Sequence, residues 1–139
     1  MRYNEETLPI MKVIDLRFKQ VAKKAKVEGD FTFLNAGDLI YQLETALELV
    51  ESSKTFEMTS ITFHVSFLDV KCRKILFNYM RQIEALLKSD LTKEVIIEWR
   101  YDWFDDDMIE LGDLLDEFFE LNFHQMESDR PYTMCIDLH

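Results

Sequence analysis

The spacing of hydrophobic residues changes several times along this chain, and each change marks an element. Residues 13–18 alternate, with Ile14, Leu16 and Phe18 on one side and Asp15 and Arg17 on the other, which predicts a strand. Residues 21–27 alternate too, with Val21, Lys23 and Ala25 interleaved with Ala22, Lys24 and Lys26, an edge strand blunted by lysines. The short connection between them makes a hairpin the simplest pairing, with Gly29 closing its second strand. Asn35 stands where a helix cap is expected, with Asp38 in the first turn where a carboxylate helps. Leu39, Leu43, Ala46, Leu47 and Val50 then recur at helical spacing, predicting a helix over 36–52.

Residues 58–68 form an apolar, β-branched run that reads as the central strand. It passes without a spacer into a helix over 70–88, whose core face is Leu76, Met80, Ile83 and Leu87. Arg73, Lys74, Arg81 and Lys88 are left for solvent. Residues 95–101 alternate again, with Val95, Ile97, Trp99 and Tyr101 on one face. Asp105, Asp106 and Asp107 open a third helix, buried through Met108, Leu111, Leu115 and Phe118. Residues 121–126 suggest a short last strand, Asp129, Arg130 and Pro131 a turn, and 132–138 an extended tail that pairs on an edge.

After a lead-in over 1–9, the order is strand, strand, helix, strand, helix, strand, helix, strand, a single domain over 10–139. Strands alternating with helices need crossovers, so the class is α/β: three helices and a mixed, mostly parallel sheet with an opening hairpin. This is the element order of a STAS-type domain. The joint at Asp69, Val70, Lys71 and Cys72 is its most distinctive place. A strand feeding straight into a helix leaves N–H groups and the positive end of the helix dipole at one tip, where negative charge is favoured.

Composition narrows the class. The 139 residues carry a net charge of −11, which argues against nucleic acid and favours partners with basic patches. Hydrophobic residues make up 47%, ample for a core, and no apolar run approaches the roughly 20 residues of a membrane span. The N-terminus lacks the apolar stretch of a signal peptide, and Cys72 and Cys135 form no framework, so reduced thiols in a cytosol are expected.

Candidate chemistry is sparse. Phosphate-loop, dinucleotide and nucleophile-elbow motifs are all missing. His64, His124 and His139 lack metal-ligand spacing, and His64 reads as a hydrogen-bonded, partly buried strand residue. Asp102, Asp105, Asp106, Asp107 and Glu110 lack the glycine and alternating ligands of a calcium loop, and read as a charged helix start. No cofactor or metal is expected. Cys72, in a first helical turn, is expected to have a lowered pKa, which would suit a redox sensor or an enzyme, although no base lies near it in sequence. Trp103 and Phe104, past a strand end, are candidate anchors for a protein partner, beside core and rim aromatics such as Trp99.

From Val95 onward the chain resembles the SiaC family of bacterial regulatory phosphoproteins. The shared pattern is a strand with W-x-Y, an acidic cluster and a helix opening M-x-E-x-G: Trp99, Tyr101, Asp105 to Asp107, Met108, Glu110 and Gly112. Phe123 falls where the family enters its last strand on Phe. The family's aromatic-Leu-Asn-Thr-Ser strand end reads here Phe67, Leu68, Asp69, Val70, Lys71, with Lys74 at the family's early helix Lys. The resemblance implies a STAS-like, non-enzymatic partner switch. Its Thr would be phosphorylated by a kinase and cleared by a phosphatase, and the unmodified form would activate a diguanylate cyclase that governs biofilm formation. It also implies a partner-binding tip, here Asp69, Val70, Lys71, Cys72, Arg73 and Lys74.

Two departures stand out. Val70 replaces the phosphorylatable Thr, and Gly29 to Leu34 replaces the family's G-x-S-x-P-E stretch. Either the chain is locked in the unmodified, partner-binding form, or control has moved to another hydroxyl such as Ser66, or to none. Besides the adaptor, a thiol-based sensor or enzyme centred on Cys72 and a structural homodimer without a regulated partner remain as readings.

Overall fold

A computed structural model describes residues 21–55 and 57–128. Within them the order is β1 (Val21–Phe31), α1 (Ala36–Glu51), β2 (Met58–Leu68), α2 (Val70–Ser89), β3 (Glu94–Tyr101), α3 (Asp106–Phe118) and β4 (Asn122–Glu127). The strands form one four-stranded sheet in the order β1-β2-β3-β4, and every pair is parallel. The chain is therefore α/β, with three helices as crossovers. The strand expected over 13–18, and with it the opening hairpin, lies outside the described residues, as do the final turn and tail.

Strand neighbours that are also sequence neighbours, with the right-handed crossovers that parallel sheets almost always use, put all three helices on one face of the sheet. Burial follows that geometry. Val27, Ile61, Phe63, Val65, Val95, Ile97 and Trp99 turn to the helices and are buried, against Leu39, Leu43, Leu76, Met80, Leu111 and Leu115. Each such side chain removed from water contributes about 1.5–3 kcal/mol. The opposite face alternates with it and is polar. There Thr62 Oγ1 donates to Glu98 Oε1 at 2.7 Å, and His64 Nε2 lies 3.1 Å from Asp102 Oδ1. His64 is thus the hydrogen-bonded, partly buried strand residue its position suggests.

Three expectations are corrected. Gly29 does not close β1, which continues to Phe31. Its φ of 136° is open to glycine and lets the strand absorb a register shift between Gly29 and Asp30, opposite Ser66. Asn35 holds the cap position of α1 but makes no cap bond, because Oδ1 accepts from Thr32 N at 2.7 Å and Nδ2 donates to Asp30 O at 2.9 Å. Phe118 does not bury α3. It is 66% exposed, and Phe119 is buried instead, because the backbone becomes extended at Phe119 and turns that ring inward.

Candidate functional site

In a parallel sheet every strand ends at the same edge, so loops far apart in sequence meet there. The segments after β1, β2 and β3 bring Phe33 and Leu34, then Asp69 to Lys74, then Trp103 and Phe104 to this one edge. All three helices also begin on it, the arrangement in which open α/β sheets present their binding residues.

The joint between β2 and α2 is tightly built. Asp69 has the extended backbone of an N-cap, and its Oδ1 accepts from Cys72 N at 2.8 Å. Oδ2 reaches across to accept from Phe33 N at 2.7 Å, while Asp69 N donates to Phe31 O at 3.1 Å. One carboxylate therefore caps α2 and clasps the β1–α1 loop. The bond from Cys72 N, then those from the Cys72 thiol and Phe33 N and the nearby Lys71 charge, hold its pKa below the ordinary carboxylate value of 3.8, against a smaller opposing effect of burial. The negative charge favoured by the helix tip is supplied by the chain itself.

The other tip residues divide by exposure. Val70 is 71% exposed, and Lys71 and Lys74 also face solvent. Arg73, expected in solvent, is half-buried and folds back so that Nε donates to Leu68 O at 3.1 Å. Cys72 corrects two expectations at once. It is fully buried, so its side chain is not available to a partner. Burial, followed by the neighbouring Asp69 carboxylate, pushes its thiol up to about 11 instead of down. A thiol held protonated inside the core is a poor nucleophile, which removes the basis of the redox-sensor or enzyme reading.

Trp103 is 62% exposed and stands edge-on to the exposed Phe104, with ring centroids 5.4 Å apart. Sequence reasoning found this pair but missed Phe33, Leu34 and Phe67, which are exposed at the same edge. Two consecutive apolar residues between a strand and a cap were the available signal. Behind the aromatic pair, Asp105 caps α3 by accepting from Met108 N at 3.3 Å. Burial raises its pKa; the bond from Met108 N opposes this, and the carboxylates of Asp102, Asp107 and Asp106 add to it. Among the described residues no cluster of His, Cys, Asp or Glu is arranged to hold a metal ion. An open groove of about 420 Å³ lined by Lys24, Lys26, Tyr41 and Gln42 lies along β1 and α1, away from the tip.

The pattern around Trp99 has a packing explanation. Trp99 Nε1 donates to Met108 O at 2.9 Å, fixing the first turn of α3 to β3. A Cβ on Gly112 would stand 2.6 Å from Trp99 Cδ1 and 2.7 Å from Gln125 Oε1, so the helix lies on the indole only with glycine there. Phe123 from β4 stacks on the same ring, with centroids 6.3 Å apart.

Fold and site together define a small parallel α/β domain that carries an exposed, self-capped helix tip. The chain belongs to the SiaC family of regulatory phosphoproteins, whose family model matches residues 14–128. No curated protein and no solved structure matches it. Among the described residues no helix is long and apolar enough to cross a membrane.

Proposed function

We propose that this chain is a non-enzymatic, cytosolic signalling adaptor that docks a protein partner on the C-terminal edge of its sheet. The carrying observation is the exposure of Val70 on a tip whose helix cap and neighbouring loop are held by one carboxylate. Phe33, Phe67, Trp103 and Phe104 supply apolar anchors along that edge, with the cations of Lys71 and Lys74 on one side. The three carboxylates of Asp105, Asp106 and Asp107 stand on the other. On the family's pattern the partner is a diguanylate cyclase, with a kinase and a phosphatase acting in the same circuit and cyclic-di-GMP output and biofilm formation downstream.

At position 70 there is no hydroxyl, so at that residue the tip stays in its unmodified, binding form. Tagged full-length chain, captured from the cells that express it, should retain a cyclase, kinase or phosphatase. The paired Trp103→Ser and Phe104→Ser substitutions should reduce that capture at least tenfold if they are interface anchors. Recovery of none of the three, under conditions that keep known complexes intact, would overturn the adaptor reading.

A further inference from the structure

We propose that Thr32, in the loop between β1 and α1, is the hydroxyl through which phosphorylation controls this chain's tip. The chain belongs to a family of regulatory phosphoproteins, and it carries valine at position 70, where the resemblance implies the acceptor. The question is which other hydroxyl the fold couples to the same tip. Thr32 immediately precedes Phe33, the residue whose N–H is gripped by the capping carboxylate of α2 at 2.7 Å. Its Oγ1 accepts from Leu34 N at 3.2 Å, and its carbonyl accepts from Asn35 N at 3.1 Å. The loop that holds Thr32 is thus closed on α1 at one end and on α2 at the other.

Its place beside the clasp, more than its accessibility, favours it. Phe33, Leu34 and Asn35 beside it are exposed, and Thr32 itself is partly so. Ser66, buried to the same intermediate degree as Thr32, is the weaker candidate because it lies within the irregular part of β2, where its Oγ donates to Gly29 O at 3.4 Å. Ser52 and Ser53 follow α1, Ser89 ends α2 and Thr92 follows it, all at the opposite edge from the tip.

The chemistry is ordinary phosphoryl transfer. The γ-phosphoryl group of a nucleoside triphosphate bonds to Thr32 Oγ1 as its bond to the β-phosphate breaks. The hydroxyl proton passes to a base of the kinase, and the nucleoside diphosphate leaves. The product adds about −1.5 to −2 charges on the residue next to Phe33, whose N–H the Asp69 carboxylate holds. The N–H groups at the start of α1 attract the new phosphate, while the Asp69 carboxylate repels it. Repulsion from Asp69 loosens the loop from α2, while the Asp38 carboxylate in the first turn of α1 offsets the pull of that helix start. The Phe33–Asp69 bond is the contact that must yield, and the exposed Phe33 and Leu34 move with it.

For its purpose the assignment rests on the adaptor reading above, but its test does not need a partner. Full-length chain is isolated from expressing cells in growth and in stationary phase with phosphatases inhibited, and the tryptic peptides of residues 27–54 and 55–71 are sequenced by mass spectrometry. A phosphoryl group on Thr32, lost in Thr32→Val, is the expected result. In purified Thr32→Glu the Phe33 amide should exchange about tenfold faster than in wild type or Thr32→Val, as loss of one charge-assisted hydrogen bond implies. A phosphoryl group on Ser66 or Thr45 instead, or complete coverage of residues 27–54 without modification in both growth states, overturns the proposal. So does unchanged Phe33 exchange in Thr32→Glu. Capture of a cyclase together with unmodified Thr32 removes this proposal and leaves the adaptor. Modified Thr32 with no partner recovered does the reverse.

Discussion

Two regions carry the family's pattern, and they differ in what holds them. Around Trp99 the matching residues are locked by packing: indole, Met108 carbonyl, Gly112 and Phe123 fit with no room for a methyl group. At the joint between β2 and α2 the backbone is held by the Asp69 carboxylate, while the next side chain, Val70, faces solvent. The first region tolerates no change without cost to the fold. The second can change its exposed side chain at little structural expense.

That contrast breaks most visibly at Trp99. Trp99→Ala should cost about 3–5 kcal/mol, through the emptied volume and the lost indole bond to the Met108 carbonyl. Urea unfolding followed by circular dichroism would measure it, and a loss under about 1 kcal/mol would mean the indole is not the keystone of α3. Gly112→Ala should follow at about 1–3 kcal/mol, since the new methyl must push the indole or Gln125 aside. Trp99→Phe combined with Gly112→Ala should recover part of that loss, because the smaller ring vacates the space.

Much of this was legible in the sequence because it is periodic. An apolar, β-branched run marked β2, alternation marked β3, and the 3.6-residue repeat placed Leu76, Met80 and Ile83 in the core as found. What failed was local in one way and distant in another. Phe118 continued the repeat by one position, but the helix stopped there and the exchange with Phe119 depended on where the chain turned. Gly29 looked like a stop because a glycine weakens strands, whereas here its positive φ keeps the strand going through an irregularity. The clasp between Asp69 and Phe33 joins residues 36 apart, and no local pattern announces it. Cys72 was misjudged for the same reason. A helix N-terminus lowers a thiol pKa only when the thiol is near water, and burial is a property of the whole fold.

Asp69→Asn probes the clasp with a smaller change. An amide presents one acceptor oxygen, so it cannot accept from both Phe33 N and Cys72 N on separate atoms as the carboxylate does. The sign of the pH dependence follows from the lowered pKa. A carboxyl held below its unfolded value of 3.8 adds stability that is present above that value and is lost as pH falls through the folded pKa. Wild type should therefore exceed Asp69→Asn in thermal stability at neutral pH, with the gap closing as pH falls below 3.8. A gap independent of pH would show that the hydrogen-bond geometry alone, and not the charge, holds the tip.

Val70→Thr should change stability least, within about 0.5 kcal/mol, because the side chain is 71% exposed and the two residues share a β-branched shape. Its effect belongs to signalling. The added hydroxyl restores an acceptor at the first residue of α2, directly after Asp69. If the proposed adaptor reading holds, a kinase acting on this joint should then modify Thr at position 70, with Lys71 next to it. The new phosphate would meet the Asp69 carboxylate at close range, so the modified form should lose helix capping, seen as faster amide exchange at Cys72 and Phe33. Phosphorylation of Val70→Thr with no change at those two amides would separate the tip's charge from its backbone order. It would then place the regulatory effect in direct repulsion of the partner.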